Sequence, residues 1–482
     1  MPQLCLQQKY IIMKVKFLPI LLGISVSLFT DSASAQWMQV GTGNDTIAAG
    51  GYDINTLCTD PAGNLYAAGQ FLDAGQNQYV SKWNGTTWSE LGTGSNALSA
   101  NGDIYSICSD PSGNIYAAGH FTSSNQGYVA KWNGTGWSQL GSGFGATLVQ
   151  DIMSIASDAS GNIYAAGDIA FLSGSSITYE VMKWNGSSWS VLGGTSNGLH
   201  ANNVINVITV DAAGNVYATG NFTNGSITTG HPYIAKWNGS SWSEVGAGSG
   251  ALNIPFGQKA NAIAVDGSSN VYIGGTFTDQ QGNYYVAKWN GSSWSELGGT
   301  SSFGPAVLNN PITSITTDGS GNVYAAGDML DLNDAHNLVL KWNGSNWSNF
   351  GHFDNLAQDN AGIKSLIYSH SLFYVTGANM NTHNSRFVAK YNGQGNNTGI
   401  EQPAAVQCMI YPNPASSSLY LLFDRAVSGT LSIADMAGSV VAQQDMSGEQ
   451  IAVNISSLSS GLYLATVKTN SGATQTLKFV KQ

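Results

Sequence analysis

All thirteen tryptophans of this chain fall on one repeating grid. Twelve form six pairs behind a lysine: Lys82-Trp83…Trp88, Lys131-Trp132…Trp137, Lys183-Trp184…Trp189, Lys236-Trp237…Trp242, Lys288-Trp289…Trp294 and Lys341-Trp342…Trp347. A seventh lysine opens Lys390-Tyr391-Asn392-Gly393, with no second aromatic after it. The thirteenth tryptophan stands alone near the other end, in Trp37-Met38-Gln39-Val40-Gly41. That segment matches the half the last repeat lacks, as in Trp88-Ser89-Glu90-Leu91-Gly92. A repeat begun at one end of the chain and finished at the other predicts a ring. Its closure removes the exposed sheet edge that an open array would leave.

Each repeat of about 50 residues lies in the range of propeller blades and holds four strand-like runs. In the first they are Ile54-Asn55-Thr56-Leu57-Cys58, Asn64-Leu65-Tyr66-Ala67-Ala68-Gly69, Tyr79-Val80-Ser81-Lys82-Trp83 and Trp88-Ser89-Glu90-Leu91-Gly92. A turn headed by Asp60 joins the first two and recurs at Asp110, Asp158, Asp211, Asp266 and Asp318. Asn84-Gly85 between the last two is a strong hairpin signal. Four antiparallel strands make one blade, and the seven lysines count seven blades, so the expected fold is an all-β, seven-bladed β-propeller over residues 36–393, closed by the N-terminal strand.

The spacings separate two ends of this ring. Turn Asp to strand-ending Gly is nine residues in all six repeats that have the Asp, and Lys to second Trp is six in all six pairs. Gly to Lys instead runs 13, 12, 16, 16, 13, 14 and 13 residues. In a propeller the constant connections share one face and the variable ones the opposite face, where loops on a rigid scaffold carry binding. His120, His200, His231, His336, His352 and His383 all fall in variable connections.

The first 35 residues read as a secretory leader: Lys14 and Lys16, an apolar run from Phe17 to Phe29, then Ala33-Ser34-Ala35, leaving Gln36 as mature N-terminus. Met13 would open a leader of ordinary length. No later stretch is apolar enough for a membrane span. A net charge of −11 with no basic run argues against a nucleic-acid partner. Cys58 and Cys108 share a repeat position that Ala156 and Ala264 fill elsewhere, as buried small residues do.

After a polar linker, 394–404, residues 405–482 lack tryptophan and alternate like a small Ig-like β-sandwich. Tyr411-Pro412-Asn413-Pro414, Asp435-Met436-Ala437-Gly438, Leu458-Ser459-Ser460-Gly461-Leu462-Tyr463 and the closing Lys478-Phe479-Val480-Lys481-Gln482 resemble the type A sorting domain of the bacterial type IX secretion system. The resemblance implies passage through the outer-membrane translocon, removal by a sortase-like peptidase, and release or attachment at the cell surface. The repeats resemble, more loosely, secreted seven-bladed β-propeller proteins, which implies a fold and little about activity.

The regular tryptophans are read as blade packing and the regular lysines as structural Lys–Asp contacts or snorkelling side chains. Asp53, Asp103 and Asp151 differ. Each lies seven residues before its turn Asp, at the start of an innermost strand in three consecutive repeats. With His120, His231, His336 and His383 they are the candidate ligand-binding set at the channel mouth. Such carboxylates suit a cation such as calcium, or acid–base work on a glycoside. No Gly-x-Ser-x-Gly, His-Glu-x-x-His, Cys-x-x-Cys or phosphate-loop pattern is present. A monomeric binding module for a glycan or a surface protein, with no cofactor, therefore ranks ahead of a polysaccharide hydrolase or lyase, and ahead of a structural surface component.

Overall fold

The computed structural model describes residues 37–41, 47, 52–173, 175–225, 230–247, 252, 254–255, 257–280, 282–298, 310–330, 337–351, 362–377, 386–391, 408–411, 413–435, 439–469 and 474–482. The leader, the 394–404 linker, His336, His352, His383, Pro412 and Gly438 lie outside these residues.

Among the described residues the tryptophan grid forms seven antiparallel sheets of propeller-like, all-β organisation. The first sheet comprises Ile54–Thr59, Leu65–Leu72, Gln78–Trp83 and Trp88–Glu90, hydrogen-bonded in chain order. The second runs from Ile104–Ser109 to Trp137–Gln139, the fourth from Ile205–Val210 to Trp242–Glu244, the fifth from Ala260–Val265 to Trp294–Glu296, and the sixth from Ile312–Thr317 to Trp347–Asn349. The third, Leu148–Ser157 to Trp189–Val191, gains an extra strand, Ser176–Tyr179. The seventh combines Ile363–Ser369, Leu372–Gly377 and Ala389–Tyr391 with Trp37–Gln39, and Trp37 stands opposite Tyr391.

The Tyr-Ala-Ala-Gly run of the second strands follows from how closely the sheets approach. Leu65 to Gly69 is buried throughout, with Ala67 and Ala68 at 0% exposure. Larger side chains have no room where both faces of a strand are covered. The Gly is required by a bulge. In all seven sheets the register of the first two strands slips by one residue near the entry of the innermost strand, as between Ile54 and Thr56. That slip drives the Asp53 carbonyl to 2.2 Å from where a Gly69 Cβ would sit. Gly119, Gly167, Gly220, Gly275 and Gly327 meet the equivalent carbonyl at 2.0–2.4 Å. Bulges bend a strand and re-aim its side chains, here at the Asp53, Asp103 and Asp151 positions.

The tryptophans bind sheet to sheet. Within a hairpin Trp83 stands opposite Trp88, with ring centroids 5.6 Å apart. The second indole then donates to a carbonyl at the end of the preceding sheet's outer strand. Trp88 Nε1 donates to Val40 O (2.9 Å), Trp137 to Leu91 O (2.6 Å), Trp189 to Leu140 O (2.8 Å) and Trp242 to Leu192 O (3.2 Å). Trp294 donates to Val245 O (3.0 Å), Trp347 to Leu297 O (2.8 Å), and Trp37 itself to Phe350 O (2.9 Å). The lone tryptophan thus fills the seventh place in the series. The first and seventh sheets meet again through Thr59 Oγ1 and Ser369 Oγ, 2.6 Å apart, and share one core of Val40, Ile54, Leu57, Phe71, Tyr374 and Val388.

Residues 408–482 form a separate sheet about their own core of Leu419, Leu421, Leu431, Ile433, Val467 and Phe479. Its strands are linked by hydrogen bonds in one five-stranded sheet. The 18-residue Ser418–Asp435 strand pairs with three others, with a register shift between Leu422 and Val427.

Trp37 carries both a packing and a hydrogen-bonding role, and the two are separable. Trp37→Phe keeps a ring and loses the indole donor, a cost of about 1 kcal/mol. Trp37→Ala opens a cavity at a residue 2% exposed, costing about 3–5 kcal/mol. Urea unfolding of the two variants should rank them in that order. A chain starting at Asn44 should melt below both, and an unchanged melting temperature for it would contradict the role of the N-terminal strand.

Candidate functional site

The regular polar residues are consumed by the scaffold. Asp60 Oδ1 accepts the amides of Ala62 (3.0 Å) and Asn64 (2.9 Å), while Oδ2 accepts Asn64 Nδ2 (2.7 Å) and the Tyr66 hydroxyl (2.9 Å). The same four bonds recur at Asp110, Asp158, Asp211, Asp266 and Asp318. Burial pushes the Asp60 carboxyl up, but the bonds from Asn64, Tyr66 and Ala62 outweigh it and hold it below the ordinary range; Asp110, Asp158, Asp266 and Asp318 behave alike. The lysines do not reach these carboxylates as the spacing suggests. Lys82 Nζ sits 5.5 Å from the Tyr66 ring centroid, and the next five lysines lie over their own tyrosines at 5.2–5.6 Å. Each repeat therefore holds a relay in which the lysine covers the ring whose hydroxyl binds the aspartate.

The hairpin asparagines are used as well. Asn84 Oδ1 accepts from the amides of Thr86 (2.9 Å) and Thr87 (2.8 Å) and from the Thr86 hydroxyl (2.9 Å). Gly85, at φ +101°, takes the first central position of the turn, so the asparagine precedes the two-residue loop rather than lying inside it. Cys58 and Cys108 are free thiols, and burial pushes both well above the ordinary range, which disfavours the thiolate.

The other end is irregular. The three candidate aspartates are each met by a side chain of the preceding repeat. Asp53 Oδ1 lies 3.0 Å from Arg386 Nε, Asp103 Oδ2 accepts from Gln70 Nε2 at 2.8 Å, and Asp151 Oδ1 lies 2.5 Å from His120 Nδ1. Next to Asp151, burial and then the Asp151 charge push the Asp168 carboxyl above its ordinary range. Burial, then Asp151 and Asp103, do the same to the Tyr105 phenol. Sequence reasoning found His120 and missed Gln70 and Asp168, although all three follow the Gly that ends a second strand. Arg386 has no counterpart in the other repeats, so no periodic signal marks it. His231 is exposed, with its amide donating to Asn224 Oδ1 (3.1 Å). His200 pairs with the buried Glu180 at 2.6 Å. Among the described residues no three His, Cys, Asp or Glu side chains gather as a metal site.

In the C-terminal sheet, the motif residues fasten the chain's end. Asn413 Nδ2 donates to Lys478 O (3.2 Å), and Asn413 Oδ1 accepts the Val480 amide (2.9 Å). Tyr463 stacks on Phe479 at 5.6 Å and donates to Ser459 O (2.9 Å). Tyr411 stacks on Tyr420, and Gly461 stands opposite Lys481.

Residues 409–482 match the secretion system C-terminal sorting domain family. No curated protein matches the chain. Among solved structures it is similar to PorZ, a bacterial surface component of the type IX secretion system of Porphyromonas gingivalis, at 16% identity over 89% of this chain and 59% of that one, TM-score 0.46. The chain thus spans 59% of the length of that relative. It is also similar to YCF48 bound to D1 peptide, at 10% identity over 77% of this chain and 98% of that one, TM-score 0.47. A third likeness is the extracellular domain of BT4673 from B. thetaiotaomicron, at 12% identity over 94% and 74%, TM-score 0.35. At this level nothing about their activities transfers. The fold and the C-terminal domain define an exported all-β protein of propeller-like organisation. Its sorting domain routes it through the type IX system, to be secreted or held at the cell surface.

The turn aspartates make stability depend on acid. For Asp60, Asp110, Asp158, Asp266 and Asp318 the folded pKa lies below the unfolded value of about 3.9, so the unfolded chain binds more protons as pH falls through that range. Their contribution is complete above the ordinary carboxylate range and is lost as pH falls through the folded values. Asp110→Asn should lower stability at neutral pH by about 1–3 kcal/mol. Urea unfolding at neutral and acidic pH should also show a smaller acid-induced loss in the variant than in the parent.

Proposed function

We propose that the seven sheets are the blades of one propeller closed by the Trp37 strand, and that it is an exported, non-enzymatic binding protein for a glycan. Residues 36–393 form the binding body, 394–404 a connector, and 405–482 the sorting domain, preceded by a leader removed after Ala35. The observation that carries this reading is the division of labour between the two ends. Trp, Lys, Asp and Asn on the constant connections are committed to packing and turns. The variable connections hold unlike polar groups: Arg386, Gln70, His120, Asp151 and Asp168. A second reading, a polysaccharide hydrolase or lyase centred on Asp53, Asp103 and Asp151, draws support from Asp168, whose raised pKa suits a general acid.

A glycan array combined with a polysaccharide-cleavage screen separates the two. Binding without cleavage is expected, weakened by Asp103→Asn. Saccharide release would sink the non-enzymatic reading, and release that survives Asp103→Asn would also remove the aspartates as its centre.

Export gives an independent check. A chain lacking residues 405–482 should fold, lose its leader and accumulate in the periplasm. Mass spectrometry of the full protein outside the cell should find a C-terminus near the connector. Normal export of the shortened chain would contradict the sorting role, and an intact Gln482 would contradict cleavage.

A further inference from the structure

An asparagine followed by glycine can be attacked at its side-chain amide by its own backbone, because glycine carries no Cβ to hinder the approach. Six hairpins of this chain place that pair at an exposed tip: Asn84, Asn133, Asn185, Asn238, Asn290 and Asn343, each with its Gly. These glycines take φ of +96° to +101°, and a Cβ on any of them would meet nothing within 4 Å. Their amides donate no hydrogen bond among the described residues. The asparagine oxygen is engaged instead. Asn133 Oδ1 accepts the Thr135 amide (3.0 Å), the Gly136 amide (3.1 Å) and the Thr135 hydroxyl (2.9 Å). The ring closed by the first of these bonds contains both Asn133 Cγ and the Gly134 nitrogen, so it folds the amide carbon back over the backbone that follows. The same three bonds recur at Asn84, Asn185, Asn238 and Asn290. Asn343 Oδ1 accepts two amides, of Ser345 (3.0 Å) and Asn346 (2.9 Å).

Two other Asn-Gly pairs supply the contrast. Asn101 Oδ1 accepts the amide of Thr122, in the following connection, at 2.8 Å. Its Gly102 is buried, and a Cβ there would lie 2.8 Å from the His120 carbonyl oxygen. Asn224 Oδ1 accepts the His231 amide (3.1 Å), and its Nδ2 donates to Glu244 Oε2 (3.2 Å). Both side chains are tied to residues distant along the chain. Neither can turn onto its own backbone without breaking those bonds, each worth about 1 kcal/mol.

We propose that the six hairpin asparagines are sites of spontaneous conversion to aspartate and isoaspartate, and that Asn101 and Asn224 are held back from it. The glycine amide loses its proton to water, and its nitrogen attacks Cγ to form the new C–N bond. The Cγ–Nδ2 bond then breaks, and the side-chain nitrogen takes up a proton and leaves as ammonia. Water opens the resulting succinimide at one of its two carbonyls, which gives either aspartate or isoaspartate. Negative charge gathers on Oδ1 in the first step, where two amides and in five hairpins a hydroxyl already point, as preorganised donors do at an oxyanion. An aspartate can keep the turn, as Asp60 does by accepting two amides of its own loop. Each conversion adds a negative charge to a chain already at −11. The constant end, whose hairpin tips are uncharged when made, thus becomes anionic with age. The proposal is independent of what the variable end binds.

The test is a time course of the freshly purified full chain in mildly alkaline buffer, read by peptide mapping and mass spectrometry that separates aspartate from isoaspartate. The peptides of Asn84, Asn133, Asn185, Asn238 and Asn290 should convert at least about tenfold faster than those of Asn101 and Asn224, a barrier difference of about 1.4 kcal/mol. Mildly acidic buffer should slow them, since the glycine amide must lose a proton. Thr135→Val should slow Asn133 by about threefold or more, the loss of one hydroxyl donor, and leave Asn185 unchanged. Asn343, with its two amides alone, should fall behind the other five. In concentrated urea all eight pairs should react at similar rates, because the ranking belongs to the fold. Hairpin asparagines no faster than Asn101 and Asn224 would overturn the proposal. A ranking that persists in urea would also overturn it, since sequence alone would then be its cause. An Asn133 rate indifferent to Thr135→Val, at an equal melting temperature, would remove the role given to the hydroxyl.

Discussion

The indole-to-carbonyl hydrogen bond between neighbouring sheets is the contact on which the rest of this structure is hung. A four-stranded sheet has two apolar faces and cannot bury either alone. Packing against a neighbour buries the faces but does not fix the offset between sheets. The second tryptophan of each hairpin does both. Its ring pairs with the first tryptophan, and its N–H reaches a carbonyl of the preceding outer strand, as Trp137 does to Leu91 and Trp37 to Phe350. A residue with a large apolar body and one donor suits such a junction. The same contact explains why the tryptophans are poor candidates for ligand platforms: their donors and much of their faces are already engaged.

Next to this seam lies a second economy. Each turn aspartate caps its loop and receives a tyrosine hydroxyl, and the tyrosine ring lies beneath a lysine. Few charges are present, and the regular ones satisfy one another locally. At the opposite end the bulged strand entries and the variable connections gather groups that differ from repeat to repeat. Asp151 beside His120 and Asp168 is of that kind.

The sorting domain obeys a separate logic. Asn413 bonds to Lys478 and Val480, so the start of the domain and the end of the chain are held together. Tyr463 on Phe479 anchors the same final strand in the core. The motif residues available to description are thus largely structural, and they place the last residues in a fixed sheet. This suits a domain that serves as a sorting signal for export.

Much of the architecture was legible because repetition makes a weak signal strong. The pairing of Trp37 with Tyr391, the strand order within each sheet and the sorting motifs all follow from residue types at fixed spacing. Asp53, Asp103 and Asp151 were also visible, because they share a register. Their partners were not. Arg386 and Asp53 are 333 positions apart and meet through the packing of the seventh sheet on the first. The Asp279–Glu296 pair was hidden for a similar reason. Asp279 and Glu296 sit on a loop and an outer strand that the folded sheet brings together, whereas at the same place in the fourth sheet Asn224 donates a hydrogen bond to Glu244. Local spacing therefore determined the strands, turns and sheet order, since these depend on hydrogen bonds between near neighbours. Which charges face each other across a loop or between sheets was decided by tertiary structure, because Coulomb interactions and burial depend on distance in space and not along the chain.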